Sequence, residues 1–122
     1  MDLTAIEHNG IRVMEGAADR SQMTSASEIN LVIEACFSKG ARRVLLYSSN
    51  VPPAFFDLSS GNAGTILQKL RDYHIRFALV VDSRPPAFSS RFGEMVAEEK
   101  RGRDFGLFDS RDAALDWLAT AG

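Results

Sequence analysis

Two apolar runs, RVLLYSS at Arg43 to Ser49 and RFALVVD at Arg76 to Asp82, constrain this chain more than any other feature. Neither alternates apolar with polar residues, so a strand made from either must be covered on both faces. Strands of that kind belong to parallel sheets, whose neighbours need long crossovers, usually helical. The text between the runs supplies one, because Ala63, Ile66, Leu67 and Leu70 recur at helical spacing. An α/β architecture follows from these segments alone.

The flanking segments extend the pattern. Leu3 to Glu7 and Ile11 to Glu15 read as short strands joined by Asn9-Gly10, a pair suited to a tight hairpin with positive φ at both positions. SASE at Ser25 to Glu28 has capping-box spacing, and Ile29, Val32, Ile33, Cys36 and Phe37 follow at helical intervals before Gly40. A third helix is expected from Ser90 to Lys100 with Phe92, Met95 and Val96 inward, stopped by Gly102. A last strand at Asp104 to Asp109 precedes a helix capped by Ser110 and carrying Ala114, Leu115, Trp117 and Leu118. With 122 residues and 45% hydrophobic composition, the expectation is one α/β domain over 1-122, an N-terminal β-hairpin followed by αβαβαβα with a mostly parallel central sheet.

Charge and cysteine content narrow the function classes. The net charge is -2 and the basic residues are scattered, apart from Lys100, Arg101 and Arg103 at a helix end, so nothing asks for nucleic acid. One cysteine, Cys36, excludes an internal disulfide and reads as packing. No apolar run is long enough for a membrane span and MDLTAIEHNG lacks a basic leader, so the expected address is the cytoplasm. There is no P-loop, no GxGxxG, no GxSxG and no HExxH, which favours a non-enzymatic role with no cofactor and no metal.

Open α/β sheets tend to bind ligands beyond the carboxyl ends of their strands. Here that end collects Asn50 to Ser60, Asp82 to Ser90, and Asp109 to Ser110. Within it, FFDLSSGNAGTILQKL crowds Phe55, Phe56, Asp57, Ser59, Ser60 and Gly61 in front of the second helix. Ser59 or Ser60 can cap that helix, or its free N–H groups can hold an anion or a phosphoryl group on the hydroxyl. Adjacent aromatics in an extended segment point to opposite sides, so one of Phe55 and Phe56 can face a partner; an irregular loop can instead fold both inward. Asp57 and Asp82 could pair for acid–base work or a cation, though Asp also suits turns, and Asn50 joins them as an alternative pocket residue. His8 and His74 are not obviously together, and contact of His74 with a helix C-terminus suffices to explain it.

From Phe55 onward, FFDLSSGNAGTILQKLRDYHIRFALVVD, then SSRFGEMVAEEKRGRDFGLF and the closing RDAALDWL resemble a small bacterial family known as domain of unknown function 4180. The likeness is closest over Phe55 to Asp82, and EINLVIEACFSKGARRVLL fits more loosely. It implies little about activity. The element order also resembles the STAS domain of anti-sigma-factor antagonists, in which a D-S-S-G or D-S-T-G motif opens the helix after a central strand. Asp57-Leu58-Ser59-Ser60-Gly61 is the corresponding text, so the STAS-like resemblance implies a phosphorylated serine at Ser59 or Ser60 that switches a protein contact. Three readings result: a regulatory module that binds a protein partner through Pro52 to Asn62, an anion- or nucleotide-binding protein or enzyme using Asn50, Asp57, Ser60 and Asp82, and a homodimerisation module. The indicator of the last is an exposed Phe or Trp117 on an otherwise polar helix face.

Overall fold

A computed structural model describes residues 3–18, 23, 25–57, 60–81, 90–101 and 104–120. Strands β1 (Leu3–His8), β2 (Ile11–Gly16), β3 (Arg43–Tyr47), β4 (Arg76–Val80) and β5 (Phe105–Phe108) form one sheet in the order β1-β2-β3-β4-β5. The hairpin pair is antiparallel, with Leu3 opposite Gly16 and His8 opposite Ile11, and all later neighbours are parallel. Its turn has φ 51° at Asn9 and 80° at Gly10, the double positive φ that Asn-Gly tolerates.

The helices are α1 (Ile29–Lys39), α2 (Asn62–Asp72), α3 (Ser90–Arg101) and α4 (Arg111–Leu118). Each parallel step moves to the next strand in the same direction, so right-handed crossovers must put α1, α2 and α3 on one face. The core confirms this: Val44, Leu46, Phe77 and Leu79 pack with Ile33, Cys36, Ile66, Leu70 and Val96. Alternate residues Leu45, Ala78 and Val80 point the other way and meet Ala114, Leu115 and Leu118 of α4. This is why the strand runs are apolar without alternation. Because the strand order never reverses, the sheet lacks the switch-point crevice on which the ligand rule for open sheets depends.

Two local expectations are corrected. The Ser25 side chain makes no capping bond; it starts a 3-10 turn, Ala26–Glu28, and its Oγ lies 3.0 Å from Ser27 Oγ. Phe37 is 58% exposed rather than inward, because Ile29, Val32, Ile33 and Cys36 already fill the buried stripe and Phe37 falls on its flank. The α1 stop is as read, with Gly40 at φ 67° and its N–H bonded to the Phe37 carbonyl. Met95 is half-buried and Val96 buried, while the Phe92 side chain and Gly102 lie outside what is described. Among the described residues, no helix is long and apolar enough to cross a membrane.

Candidate functional site

At the carboxyl end of β3 the chain makes two short 3-10 turns, Ser48–Asn50 and Pro53–Phe56. Asn50 is fully buried there. Its Oδ1 accepts from the Tyr47 N–H at 2.8 Å, its Nδ2 donates to the Ala17 carbonyl at 2.7 Å, and its own carbonyl accepts from the Met23 N–H at 3.0 Å. One side chain thus ties the ends of β2 and β3 together. Gly16 makes room for it, since a Cβ at Gly16 would stand 2.4 Å from Asn50 Oδ1. Asn50 is therefore a buried clamp whose amide is committed to the backbone.

Both members of the aromatic pair are in the core, Phe55 at 0% and Phe56 at 5% exposure, so neither offers a partner surface. Successive residues in a 3-10 turn are about 120° apart rather than opposed, which lets both rings turn inward. Phe55 makes edge contacts with Phe56, Phe77 and Phe105 at centroid distances of 5.4, 6.3 and 5.9 Å. The turn functions as a plug for that end of the helical face.

The cap of α2 is neither serine but the residue after Ser60, Gly61 at φ 81°, and the helix starts at Asn62. Ser60 is exposed, yet its hydroxyl is engaged: Oγ lies 2.7 Å from the carbonyl oxygens of both Ala54 and Asp57 and accepts from the Asn62 N–H at 3.2 Å. It latches the aromatic turn to the helix start. Asp57 is exposed. Ser59 and Asp82 lie outside the described residues, as does most of the Asp82 to Ser90 loop.

On the α4 face of the same edge is a cluster that the sequence reading did not single out. Tyr47 donates its hydroxyl to Glu15 Oε2 at 2.6 Å, and Arg111 holds the same carboxylate with both arms, at 2.7 Å to Oε2 and 3.1 Å to Oε1. Burial pushes the Glu15 carboxyl up, but the Arg111 and Tyr47 hydrogen bonds and the guanidinium charge outweigh it and hold it below the ordinary range. Burial, with the hydrogen bond to Glu15, pushes Tyr47 up to about 12. The available signal is positional: Glu15 and Tyr47 lie at or next to the end of a strand, each two residues after an α4-facing core residue, Val13 and Leu45.

The remaining candidates have structural positions. Burial pushes the Cys36 thiol up to about 11, leaving no reactive thiolate at neutral pH. His8 Nε2 meets Asp116 Oδ1 at 2.9 Å, joining β1 to α4. His74 follows the Tyr73 cap of α2, with φ 57° and its N–H on the Arg71 carbonyl. Trp117 is half-buried against Phe108, with the Arg76 guanidinium 5.3 Å from its ring centroid. Ser110 caps α4 as expected, accepting from the Ala113 N–H at 3.2 Å. Among the described residues no three His, Cys, Asp or Glu side chains converge in a way that could hold a metal ion.

The opposite end of the sheet is rich in arginine. Arg12 donates to the Lys39 carbonyl at 2.8 Å, Arg43 to the Leu118 carbonyl at 2.6 Å, and buried Arg76 to the Thr120 carbonyl at 2.9 Å. These are the C-terminal ends of α1 and α4, where free carbonyls and the helix dipole attract cations. On the outer surface of the helical layer, Phe37 and Tyr73 are 58% and 45% exposed and touch edge to face, with centroids 5.5 Å apart.

A family model described as a domain of unknown function, DUF4180, matches residues 8–118, and the chain belongs to that family. No curated protein and no solved structure matches it.

Proposed function

We propose that this DUF4180 member is an interaction module that pairs with a second copy of itself through the α1–α2 layer. The observation that carries this reading is the Phe37–Tyr73 pair, two exposed aromatic rings in contact on a helical layer that also exposes Leu31 among polar residues. Exposed aromatics of this kind are enriched where proteins meet. Glu34, three residues before Phe37, and Lys69, four before Tyr73, flank the pair on the exposed side of their helices. A twofold pairing can set Glu34 of one copy against Lys69 of the other, so the patch is complementary to itself in charge as well as in apolar surface.

The carboxyl-edge cluster supports a non-catalytic reading. Tyr47 is pushed up to about 12 and Glu15 is held low, so neither is poised for proton transfer near neutral pH. Sedimentation equilibrium tests the proposal: a mass of twice 13.4 kDa is expected, falling to the single-chain value in Phe37→Ser with Tyr73→Ser. A native chain that stays at 13.4 kDa at high micromolar concentration would overturn it.

A further inference from the structure

We propose that the amino-terminal end of the sheet binds a phosphoryl dianion in an open cavity of about 390 Å³ bordered by Glu7, Gly10, Arg12, Gly40, Arg42 and Arg43. Three arginines and one glutamate border it, in a chain whose net charge is -2. Their existing bonds separate structural from available charge. Arg12 is committed on both arms, to Glu7 Oε1 at 3.2 Å and to the Lys39 carbonyl at 2.8 Å. That second bond also answers the negative end of α1, which would otherwise repel an anion. Arg43 uses Nε on the Leu118 carbonyl, and its terminal nitrogens make no bond among the described residues.

Arg42 is the decisive residue. It is exposed on the cavity rim, and its guanidinium makes no hydrogen bond or ion pair among the described residues. Helix capping therefore explains Arg12 and Arg43 but not Arg42. A planar guanidinium fork with free donors, at a cavity that two further arginines border, suits two oxygens of a phosphate. The volume is near the lower end of small-ligand pockets, roughly 300–1,000 Å³, and so admits a phosphate monoester with a small body attached. A free phosphorylated small molecule and a phosphorylated side chain of another protein share this chemistry.

The test is a titration of the full ¹⁵N-labelled chain followed by amide spectra at constant ionic strength, with inorganic phosphate against sodium chloride, then glycerol 3-phosphate and a phosphoserine peptide. Saturable shifts at Gly10, Gly40 and Arg42 with phosphate and not chloride are expected, and Arg42→Gln should weaken binding at least about tenfold with the rest of the spectrum unchanged. Tighter binding of glycerol 3-phosphate assigns the site to a free molecule, and tighter binding of the peptide to a protein partner. Shifts that follow ionic strength alone, an unchanged affinity in Arg42→Gln, or both esters binding more weakly than inorganic phosphate would overturn the proposal.

Discussion

Glu15, near the carboxyl end of β2, and Arg12, three residues earlier near its amino end, both form ion pairs, yet their surroundings differ. The Glu15 side chain is 15% exposed and receives hydrogen bonds from Tyr47 and from both arms of Arg111. The Arg12 side chain is 49% exposed and shares its donors between Glu7 and a helix carbonyl. The contrast extends across the two ends of the sheet. At the carboxyl end Asn50, Ser60 and the Glu15 cluster bond to the protein itself, whereas at the amino end Arg42 faces a cavity with its donors uncommitted. At the end where open α/β sheets usually bind ligands, these described polar groups are engaged in internal bonds, and the uncommitted Arg42 guanidinium lies opposite.

The sharpest way to break this comparison is Phe55→Ala. If the carboxyl-edge turn is core, the loss of its three ring contacts should cost about 3–5 kcal/mol in denaturant unfolding. A loss near zero would make the turn a dispensable loop. Next is Gly16→Ala, whose Cβ would collide with Asn50 Oδ1 and approach Leu46 Cδ2 at 3.0 Å; about 1–3 kcal/mol should be lost, with the Asn50 side-chain amide resonances displaced.

Glu15→Gln sharpens the comparison through pH. The folded-state pKa of Glu15 is depressed, so its contribution is fully present above the ordinary carboxylate range and disappears as pH falls through the folded value. The variant should be about 1.5 kcal/mol less stable than the native chain at pH 7, with the gap closing at lower pH. A gap independent of pH would place the effect in packing. Smallest is Ser60→Ala, which removes the latch on Ala54 and Asp57 and should cost about 1 kcal/mol, with faster amide exchange at Asn62.

Much of this architecture was legible in the residues. The unbroken apolar runs of β3 and β4 require cover on both faces, and the Asn9-Gly10 turn, the Gly40 stop and the Ser110 cap are set by local backbone chemistry. The site was less legible, because period arguments place a residue on a face without saying what lies across from it. Phe55 and Phe56 turned inward through a 3-10 turn that an extended reading does not contain. Glu15 and Arg111 are 96 residues apart and meet only because α4 returns across the sheet. Phe37 fitted the helical spacing yet lay on the flank of a stripe already full, so spacing alone could not separate a core residue from an exposed one.

The most direct test of the difference between the two ends is urea unfolding of Asn50→Ala beside Arg42→Gln. Asn50→Ala leaves the Tyr47 N–H and the Ala17 carbonyl without their partner and should lose about 2 kcal/mol or more, while Arg42→Gln should stay within about 0.5 kcal/mol of the native chain. Equal losses, or a larger loss for Arg42→Gln, would contradict the account of a carboxyl end whose described polar groups are bonded internally and an amino end with an available guanidinium.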